Sequence, residues 1–245
     1  MGGLGLMGRR RAIASSPTSE NILDAAVASR IGWYTFEGRS NSDADRNIVA
    51  DKSGNGLDMQ VYFENWGASD GYTTTGYSEG CVGSFPTTAV VVNYILIPLL
   101  KPLDDNFTII IERARYSNAG LNKYCALVGS CALENANASP ILIEYKEEQS
   151  ASYARDTKYR GKILMTTASE SPIIWVTPDS YMGQEATGQV SNTYTIKEIY
   201  IGRVRKEAGE SQRFKIKSVH LFSQKLTDKQ IQAYINAYID EEFAL

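Results

Sequence analysis

The sequence predicts an all-β protein, a two-sheet antiparallel sandwich closed by a short C-terminal helix. Short segments rich in β-branched and aromatic residues recur along the chain, and turn-forming residues separate most of them. The pattern then changes to a helical period near the end, as it does when one helix closes a β-sandwich. The length of 245 residues suits one such domain, since all-β sandwiches often reach about 200–250 residues.

Ten segments have the composition and length of strands. Turn signals lie between most of them, for example in the run from Pro102 to Asn106. Because neither an internal repeat nor a second domain is evident, residues 30–245 are predicted to form one domain. The predicted strands are Ile31–Phe36, Met59–Phe63, Thr88–Ile97, Phe107–Arg115, Tyr124–Val128, Ile141–Lys146, Lys162–Thr167, Ile173–Thr177, Tyr194–Val204 and Phe214–Phe222.

The last strand and the helix after it carry the strongest local signals. Within the strand the apolar residues change parity, which predicts a bulge near Lys217–Ser218 or apolar cover on both faces. Thr227 is suited to cap the helix, and Gln230 to complete a capping box. A helix this short is marginal alone, so we expect it to pack on the sandwich. Its predicted apolar face consists of Ile231, Tyr234, Ile235, Tyr238 and Ile239.

Two segments near the ends of the chain resemble one family. The run Phe214–Tyr234 resembles the last strand and helix of the concanavalin A-like, LamG-type jelly rolls. The segment Trp33–Gly38, followed by the Asp-x-Ser-Gly-Asn-Gly-x-Asp spacing of Asp51–Asp58, resembles the opening strand and turn of the same family. The resemblance brackets residues 30–240 and implies a two-sheet jelly roll. It implies little about function, because one fold of this kind hosts many activities.

Residues 1–29 are predicted to form an N-terminal anchoring arm. The first 19 residues are rich in Gly and Arg and carry too little apolar surface to fold alone, while Ser19 is suited to cap a short helix over Glu20–Ser29. Arg9, Arg10 and Arg11 concentrate positive charge on a chain of net charge −3. Because the guanidinium fork suits carboxylates, we expect these arginines to dock the arm into another protein of an assembly, or into its own subunits.

The chain combines a lectin-like fold with no recognisable secretion signal or membrane-spanning stretch. The apolar piece before Arg9 is too short for a signal peptide. Structural proteins of tailed phages have this combination, because they leave the cell inside the particle, and the start of the chain resembles those of LamG-bearing phage virion proteins. The resemblance implies a virion structural protein such as a head fibre, a capsid decoration or a tail appendage. The alternative is a free carbohydrate-binding module or a glycoside-hydrolase-like protein.

The same interpretation sets the expected partners. They are other virion proteins and a host or mucus glycan, but neither a membrane nor nucleic acid, since the net charge of −3 gives no basic surface. Fibre-like attachments are often closed cyclic oligomers, so a homo-oligomer is expected and a trimer is favoured by analogy.

A long aromatic, Gly-rich loop over Glu64–Ser84 is the predicted glycan site. Trp66, Tyr72 and Tyr77 are its aromatic residues, and exposed rings on loops of a rigid scaffold stack on sugar faces. The alternative is that these rings pack on one another and cover the sandwich. Replacing a single stacking ring should change binding by about 1 kcal/mol.

The turn at residues 51–58 offers oxygen ligands. Asp51, Asn55 and Asp58 are a candidate calcium site, as in some relatives of the family it resembles. The alternative is that these side chains bond to nearby backbone groups, as in Asx turns. No other cofactor is expected.

Few residues have the pattern of a catalytic site, so a non-enzyme is predicted. The single histidine, His220, falls in the middle of a predicted strand, where a hydrogen-bonded structural role is expected. Glycosidases need two carboxylates that flank the scissile bond, and no strand has the Glu-x-Asp-x-x-Glu pattern. Glu144, Glu147 and Glu148 form the nearest cluster and suit a solvated surface. The three cysteines, Cys81, Cys125 and Cys131, are predicted to be small buried side chains with at most one disulfide.

Overall fold

Two β-sheets face each other across the core, and two helices cover the outer face of one of them. The computed structural model describes residues 19–67, 70–72, 80–84, 93–103, 106–113, 124–129, 141–146, 162–165, 173–178, 180–181, 184–185, 196–201 and 214–239. The helices are α1 (Ser19–Ala28) and α2 (Asp228–Tyr238). The strands are β1 (Arg30–Thr35), β2 (Ile48–Val49), β3 (Met59–Tyr62), β4 (Asp70–Gly71), β5 (Val82–Ser84), β6 (Tyr94–Leu103), β7 (Thr108–Arg113), β8 (Tyr124–Gly129), β9 (Ile141–Lys146), β10 (Lys162–Met165), β11 (Ile173–Val176), β12 (Ser180–Tyr181), β13 (Gln184–Glu185), β14 (Ile196–Ile201) and β15 (Phe214–Phe222).

Strand β15 organises the first sheet. The order is β13-β12-β11-β7-β15, and the other edge of β15 pairs with β5 at its start and with β1 over the rest of its length. Strand β4 pairs with β5. The second sheet has the order β10-β9-β8-β14-β6-β3-β2. Among the described strands, β9 and β10 are parallel and the other pairs are antiparallel. The predicted all-β sandwich is therefore confirmed, with one parallel pair as a correction, and the jelly-roll order stays a prediction.

The run of three isoleucines in β7 shows why the first sheet is buried on both faces. Ile109 and Ile111 point into the core between the sheets, together with Val61 and Ile95 of the second sheet. Ile110 points the other way, into a second apolar cluster beneath the helices. Both faces of the strand are covered, which explains its continuous apolar sequence.

The helices are held by this second cluster. Thr227 caps α2 in a reciprocal capping box with Gln230, as predicted. Ile231 and Tyr234 of α2 are buried in the cluster beside Ala26 of α1, which is 0% exposed. Burying each large apolar side chain stabilises the fold by about 1.5–3 kcal/mol. The helix predicted after residue 19 therefore packs on the sandwich, while the domain boundary after residue 29 stays a prediction.

The register of β15 and the length of β6 test two further predictions. The pairing of β15 with β7 shifts between Ile216 and Ser218, which confirms the predicted bulge. Strand β6 continues to Leu103, so the turn predicted to begin at Pro102 is wrong. Beyond Leu96 this strand pairs, among the described strands, with β14 alone, and a strand edge without a pairing partner tolerates prolines, which have no N–H to donate.

Some predictions fall on short strands or outside the described residues. The strands β2, β4, β5, β12 and β13 were not predicted, because two or three residues give too little periodicity. The predicted start of a strand at Thr88 lies outside the described residues. Cys81 is 0% exposed, as expected of a small apolar side chain, whereas the side chains of Cys125 and Cys131 lie outside the described part. Within that part, no helix is both long and apolar enough to cross a membrane.

Candidate functional site

A groove lies at the edge of the second sheet, where β3 extends beyond the end of its neighbour β2. The last bond between the two segments runs from the N–H of Val61 to the carbonyl of Asn47 (2.9 Å). The groove has a volume of about 380 Å³ and is lined by Ala44, Arg46, Asn47, Val61, Tyr62, Phe63 and Trp66.

Residues 39–48 form a loop that is one wall of the groove, and Arg39 holds this loop in place. Its guanidinium donates to the carboxylate of Asp45 (3.2 Å) and to the backbone carbonyls of Asp45 (2.6 Å) and Ile48 (2.9 Å). The hydrogen bond and the charge of Arg39 lower the pKa of Asp45. Arg39 thus links both ends of the segment that carries the groove residues Arg46 and Asn47.

Tyr72 supports this wall from beneath. It is 1% exposed and belongs to the core, where burial raises the pKa of its hydroxyl to about 12. Its N–H donates to Asn41 Oδ1 (2.8 Å), and its hydroxyl donates to the carbonyl of Arg46. The ring therefore has no exposed face on which a sugar could stack. Its burial agrees with the alternative that the rings of this loop pack on one another. Its contribution to the groove is to hold Arg46.

Trp66 is the predicted glycan residue that lies in the groove. Its ring contacts Phe63 (5.0 Å between centroids) and Tyr72 (5.4 Å). The guanidinium of Arg46 lies 5.3 Å from the centre of the Trp66 ring, which is a cation–π contact. Trp66 is thus partly buried and serves as a platform for Arg46. Tyr77 lies outside the described residues.

Tyr62 presents the exposed ring of the groove and was not among the residues predicted to bind a glycan. It is 41% exposed and stacks on Tyr94, with ring centroids 4.7 Å apart and planes at 21°. Its hydroxyl donates to Gln60. The signal was present in the alternation along β3, in which Met59 and Val61 are buried and Tyr62 faces outward.

Arg46 and Asn47 are the polar side chains of the lining, and sequence patterns gave no indication of them. Neither has a side-chain hydrogen bond or an ion pair within the described residues. Arg39, seven residues earlier in the chain, has four hydrogen bonds. Arg39 therefore stabilises the loop, while the donors of Arg46 are available to a ligand.

The turn predicted as a calcium site is a dense hydrogen-bonded cluster. The carboxylate of Asp51 accepts from the backbone N–H of Trp33 and from the hydroxyl of Ser53 (2.7 Å). It also accepts from three further N–H groups, those of Ser53, Asn55 and Leu57. Asp58 accepts from the N–H of Asp51 (3.0 Å). This is the Asx-turn arrangement, and a cation would have to displace these donors. No group of three or more His, Cys, Asp and Glu side chains in the described ranges is placed to hold a metal ion.

His220 belongs to a chain of buried hydrogen bonds that ties β15 to α2 and β7. Ser218 donates its proton to Glu112 (2.9 Å), so it accepts from Nε2 of His220 (2.9 Å). The neutral imidazole therefore accepts at Nδ1 from the hydroxyl of Tyr234 (2.9 Å), and this hydroxyl in turn accepts from Arg30 (2.9 Å). Burial and the charge of Arg30 lower the pKa of His220 to about 3. The expected hydrogen-bonded structural role of this histidine is confirmed.

The order of these groups is not that of a hydrolytic triad. In a triad the imidazole stands between the nucleophile and the carboxylate, whereas here Ser218 stands between His220 and Glu112. The three residues are 4%, 0% and 3% exposed, so a substrate has no access to them. The chain of hydrogen bonds is therefore a packing feature.

The remaining predicted residues lie where the structure describes no side chain. Glu144 belongs to β9, of which the backbone is described, and Glu147 and Glu148 lie beyond it. Arg9, Arg10 and Arg11 of the predicted arm lie outside the described residues.

The wall formed by residues 39–48 should be disturbed by a side chain at position 71, which is a glycine in this protein. A Cβ at this position would lie 2.0 Å from Asn41 Oδ1, and the φ angle of +134° is one that other residues rarely adopt. Gly71→Ala should therefore lower the free energy of unfolding by about 2 kcal/mol. Gly67→Ala is the matched control, since a Cβ there meets nothing within 4 Å. Urea denaturation would measure both, and equal stabilities of the two variants would contradict this description of the wall.

Comparison with known proteins finds similarity in fold. No family model matches the sequence, and no curated protein matches it. Among solved structures the chain is similar to Trypanosoma rangeli sialidase in complex with sialic acid, with a TM-score of 0.53 and 12% identity over 86% of this chain and 34% of the sialidase chain. The same sialidase with 2,3-difluorosialic acid gives a TM-score of 0.52 at 12% identity, over the same shares of the two chains.

A second group of solved structures comes from neurotoxins. The botulinum neurotoxin serotype D binding domain gives a TM-score of 0.48 at 11% identity, over 89% of this chain and 53% of the toxin chain. The chain thus spans about a third of the sialidase chains and about half of the toxin chain. At 12% identity the sialidase likeness establishes a common fold, the β-sandwich, and nothing about activity.

Proposed function

We propose that this protein is a non-enzymatic, glycan-binding β-sandwich displayed on a bacteriophage particle. The groove at the end of β3 is the observation that carries the glycan part of the proposal. It combines the exposed ring of Tyr62 with Arg46 and Asn47, whose side chains make no hydrogen bond or ion pair within the described residues. Sugars need this combination, because their apolar face stacks on a ring while their hydroxyl groups need hydrogen-bond partners.

The groove suits binding better than hydrolysis. Its described lining contains no Asp or Glu, whereas glycosidases place two carboxylates on either side of the bond that they cleave. The one histidine of the sequence is buried and neutral near pH 7. These observations support a non-enzyme, and the sialidase likeness is compatible with it because it concerns the fold alone.

The virion part of the proposal rests on sequence. Two segments near the ends of the chain resemble LamG-type jelly rolls, and the start of the chain resembles those of LamG-bearing phage virion proteins. Arg9, Arg10 and Arg11 suit an arm that docks on carboxylates of another virion protein. A closed homo-oligomer, with a trimer favoured, would display several grooves at once, so that weak single-site binding becomes tight attachment.

Glycan binding by the groove should depend on Tyr62. Because a stacked ring contributes about 1 kcal/mol, Tyr62→Ala should weaken binding on a glycan array by about fivefold. The melting temperature should change little, since the ring is 41% exposed. Leu100→Ala, which removes an apolar side chain that is 75% exposed elsewhere on the same sheet, is the control. Binding that survives in the Tyr62 variant would place the site elsewhere.

The display on a particle requires a separate measurement. Mass spectrometry of purified virions should detect the protein, and deletion of residues 2–18, which leaves α1 intact, should abolish its incorporation without unfolding the domain. Sugar release from bacterial polysaccharide by the isolated protein would instead favour the alternative of a free hydrolase-like protein. Incorporation of the truncated protein at full occupancy would show that the arm is not the anchor.

A further inference from the structure

We infer that the groove selects a sugar that carries a carboxylate, and that Arg46 is the residue that binds this carboxylate. The inference rests on the proposed glycan-binding function and adds the class of ligand. It starts from the state of Arg46 in the fold. In the described part of the chain its guanidinium has no carboxylate within ion-pair distance, and the contact that it makes is with the ring of Trp66.

The acidic residues nearest in sequence are directed to a different guanidinium. Asp43 and Asp45 precede Arg46 on the same loop, and both are paired with Arg39, at 3.8 Å and 3.2 Å. The lining itself contains Arg46 as its one charged residue among the described positions. A concave surface lined by a guanidinium and by no carboxylate among its described residues attracts anions.

Arg46 is also held in a geometry that suits a carboxylate. Its backbone is fixed on both sides, because its N–H donates to the carbonyl of Asp43 (3.2 Å) and its carbonyl accepts from Tyr72. Its guanidinium lies over the Trp66 ring, 5.3 Å from the centroid. This contact uses no N–H group in a hydrogen bond, so the guanidinium remains able to bind two carboxylate oxygens. The loss of side-chain freedom on binding is therefore small.

The neighbouring groups fit the rest of such a sugar. The Asn47 amide can bond to hydroxyl groups, and the exposed Tyr62 ring can cover an apolar sugar face. A pyranose ring that bears a carboxylate on one ring carbon offers a carboxylate to Arg46, hydroxyl groups to Asn47 and an apolar face to Tyr62. Hexuronic acids and sialic acids share this chemistry, and a binding experiment can separate them.

The test compares acidic and neutral forms of the same sugar. Isothermal titration calorimetry would measure oligogalacturonate against its fully methyl-esterified form, and sialyllactose against lactose. The wild-type protein should bind the acidic member of at least one pair about tenfold or more tightly than the neutral member. The pair that shows this preference identifies the source of the carboxylate. The preference should weaken as salt is raised.

Variants assign the preference to Arg46. Arg46→Gln should remove most of it and leave the affinity for the neutral form nearly unchanged, whereas Arg46→Lys should retain part of it, because the charge remains but the two-pronged geometry is lost. Lys52→Gln is the matched control, since it removes one positive charge at an exposed position outside the lining. Its acid preference should equal that of the wild type.

The outcomes separate this inference from the proposed function. Equal binding of the acidic and neutral sugars by the wild type would overturn the carboxylate inference and leave the glycan-binding proposal standing. An acid preference that persists in Arg46→Gln would move the carboxylate site away from Arg46 and overturn it as well. If none of these sugars nor any glycan on an array binds, both proposals fail.

Discussion

Replacing Asp51 by Ala should lower the free energy of unfolding by about 4 kcal/mol. The carboxylate accepts from four backbone N–H groups and one hydroxyl, and it joins the opening strand to the turn at residues 51–58. Without it these donors lose a charged acceptor, and each such hydrogen bond contributes about 1.5–3 kcal/mol, of which water restores a part at this partly exposed position. Urea denaturation with a two-state fit would measure the loss.

Asp58→Ala is the matched control for this result. It removes a carboxylate from the same turn, but one that accepts from a single N–H in an exposed position, so we expect a loss of about 1 kcal/mol. Burial alone would raise the pKa of Asp51, but the bonds from Ser53 and the neighbouring N–H groups outweigh it and lower the pKa. Its contribution should therefore persist at neutral pH and disappear as the carboxylate is protonated in acid. Equal losses for the two variants would refute this account of the turn.

Mild acid should destabilise the protein through His220. The folded pKa of about 3 lies below the unfolded value of 6.5, so between these values the unfolded state binds more protons than the folded state. Stability therefore falls as the pH falls through this range, by about 1.4 kcal/mol per pH unit and about 3 kcal/mol between pH 7.5 and pH 4. Protonation would also disrupt the bond from Tyr234, because Nδ1 could no longer accept it.

The variant His220→Gln isolates this effect from the carboxylates that titrate below pH 5. It should be less stable than the wild type at pH 7.5, because the hydrogen-bond chain from Tyr234 to Ser218 is altered. Its stability should nevertheless change much less between pH 7.5 and pH 5, because the variant lacks the imidazole that takes up a proton on unfolding. A wild-type protein whose stability stays flat in this interval would show that His220 remains accessible to protons.

The sequence predicted the features that depend on local patterns. The strand Phe214–Phe222, its bulge and the capping box of α2 are each encoded within a few residues, through parity and the spacing of Thr227 and Gln230. The buried strands were found for the same reason, since β-branched residues cluster in them. The turn predicted at Pro102 was wrong, because a strand edge with no neighbour among the described strands tolerates prolines and the sequence does not show which strands lie at such an edge.

The groove was predicted only in part, because its lining comes from two segments, residues 44–47 and 61–66. Local sequence patterns do not show that two such segments lie side by side. Composition placed Trp66 and Tyr72 in one aromatic loop but could not show that the first lines the groove while the second is buried beneath it. No local sequence pattern distinguishes Arg39 from Arg46. Their different roles follow from the loop, which directs one guanidinium to carbonyl groups and the other to the Trp66 ring.

The central claim, that the groove at the end of β3 binds a glycan, is tested most directly by the tryptophan indole signals in a two-dimensional ¹H–¹⁵N spectrum. The protein has three tryptophans, which give three indole signals. Trp66 lines the groove, Trp33 stacks on His220, and Trp175 packs in the cluster beneath the helices. Titration with the sugar that binds best should shift the Trp66 signal and leave the other two in place. Movement of the Trp33 or Trp175 signal with Trp66 unchanged would contradict the assignment of the groove as the binding site.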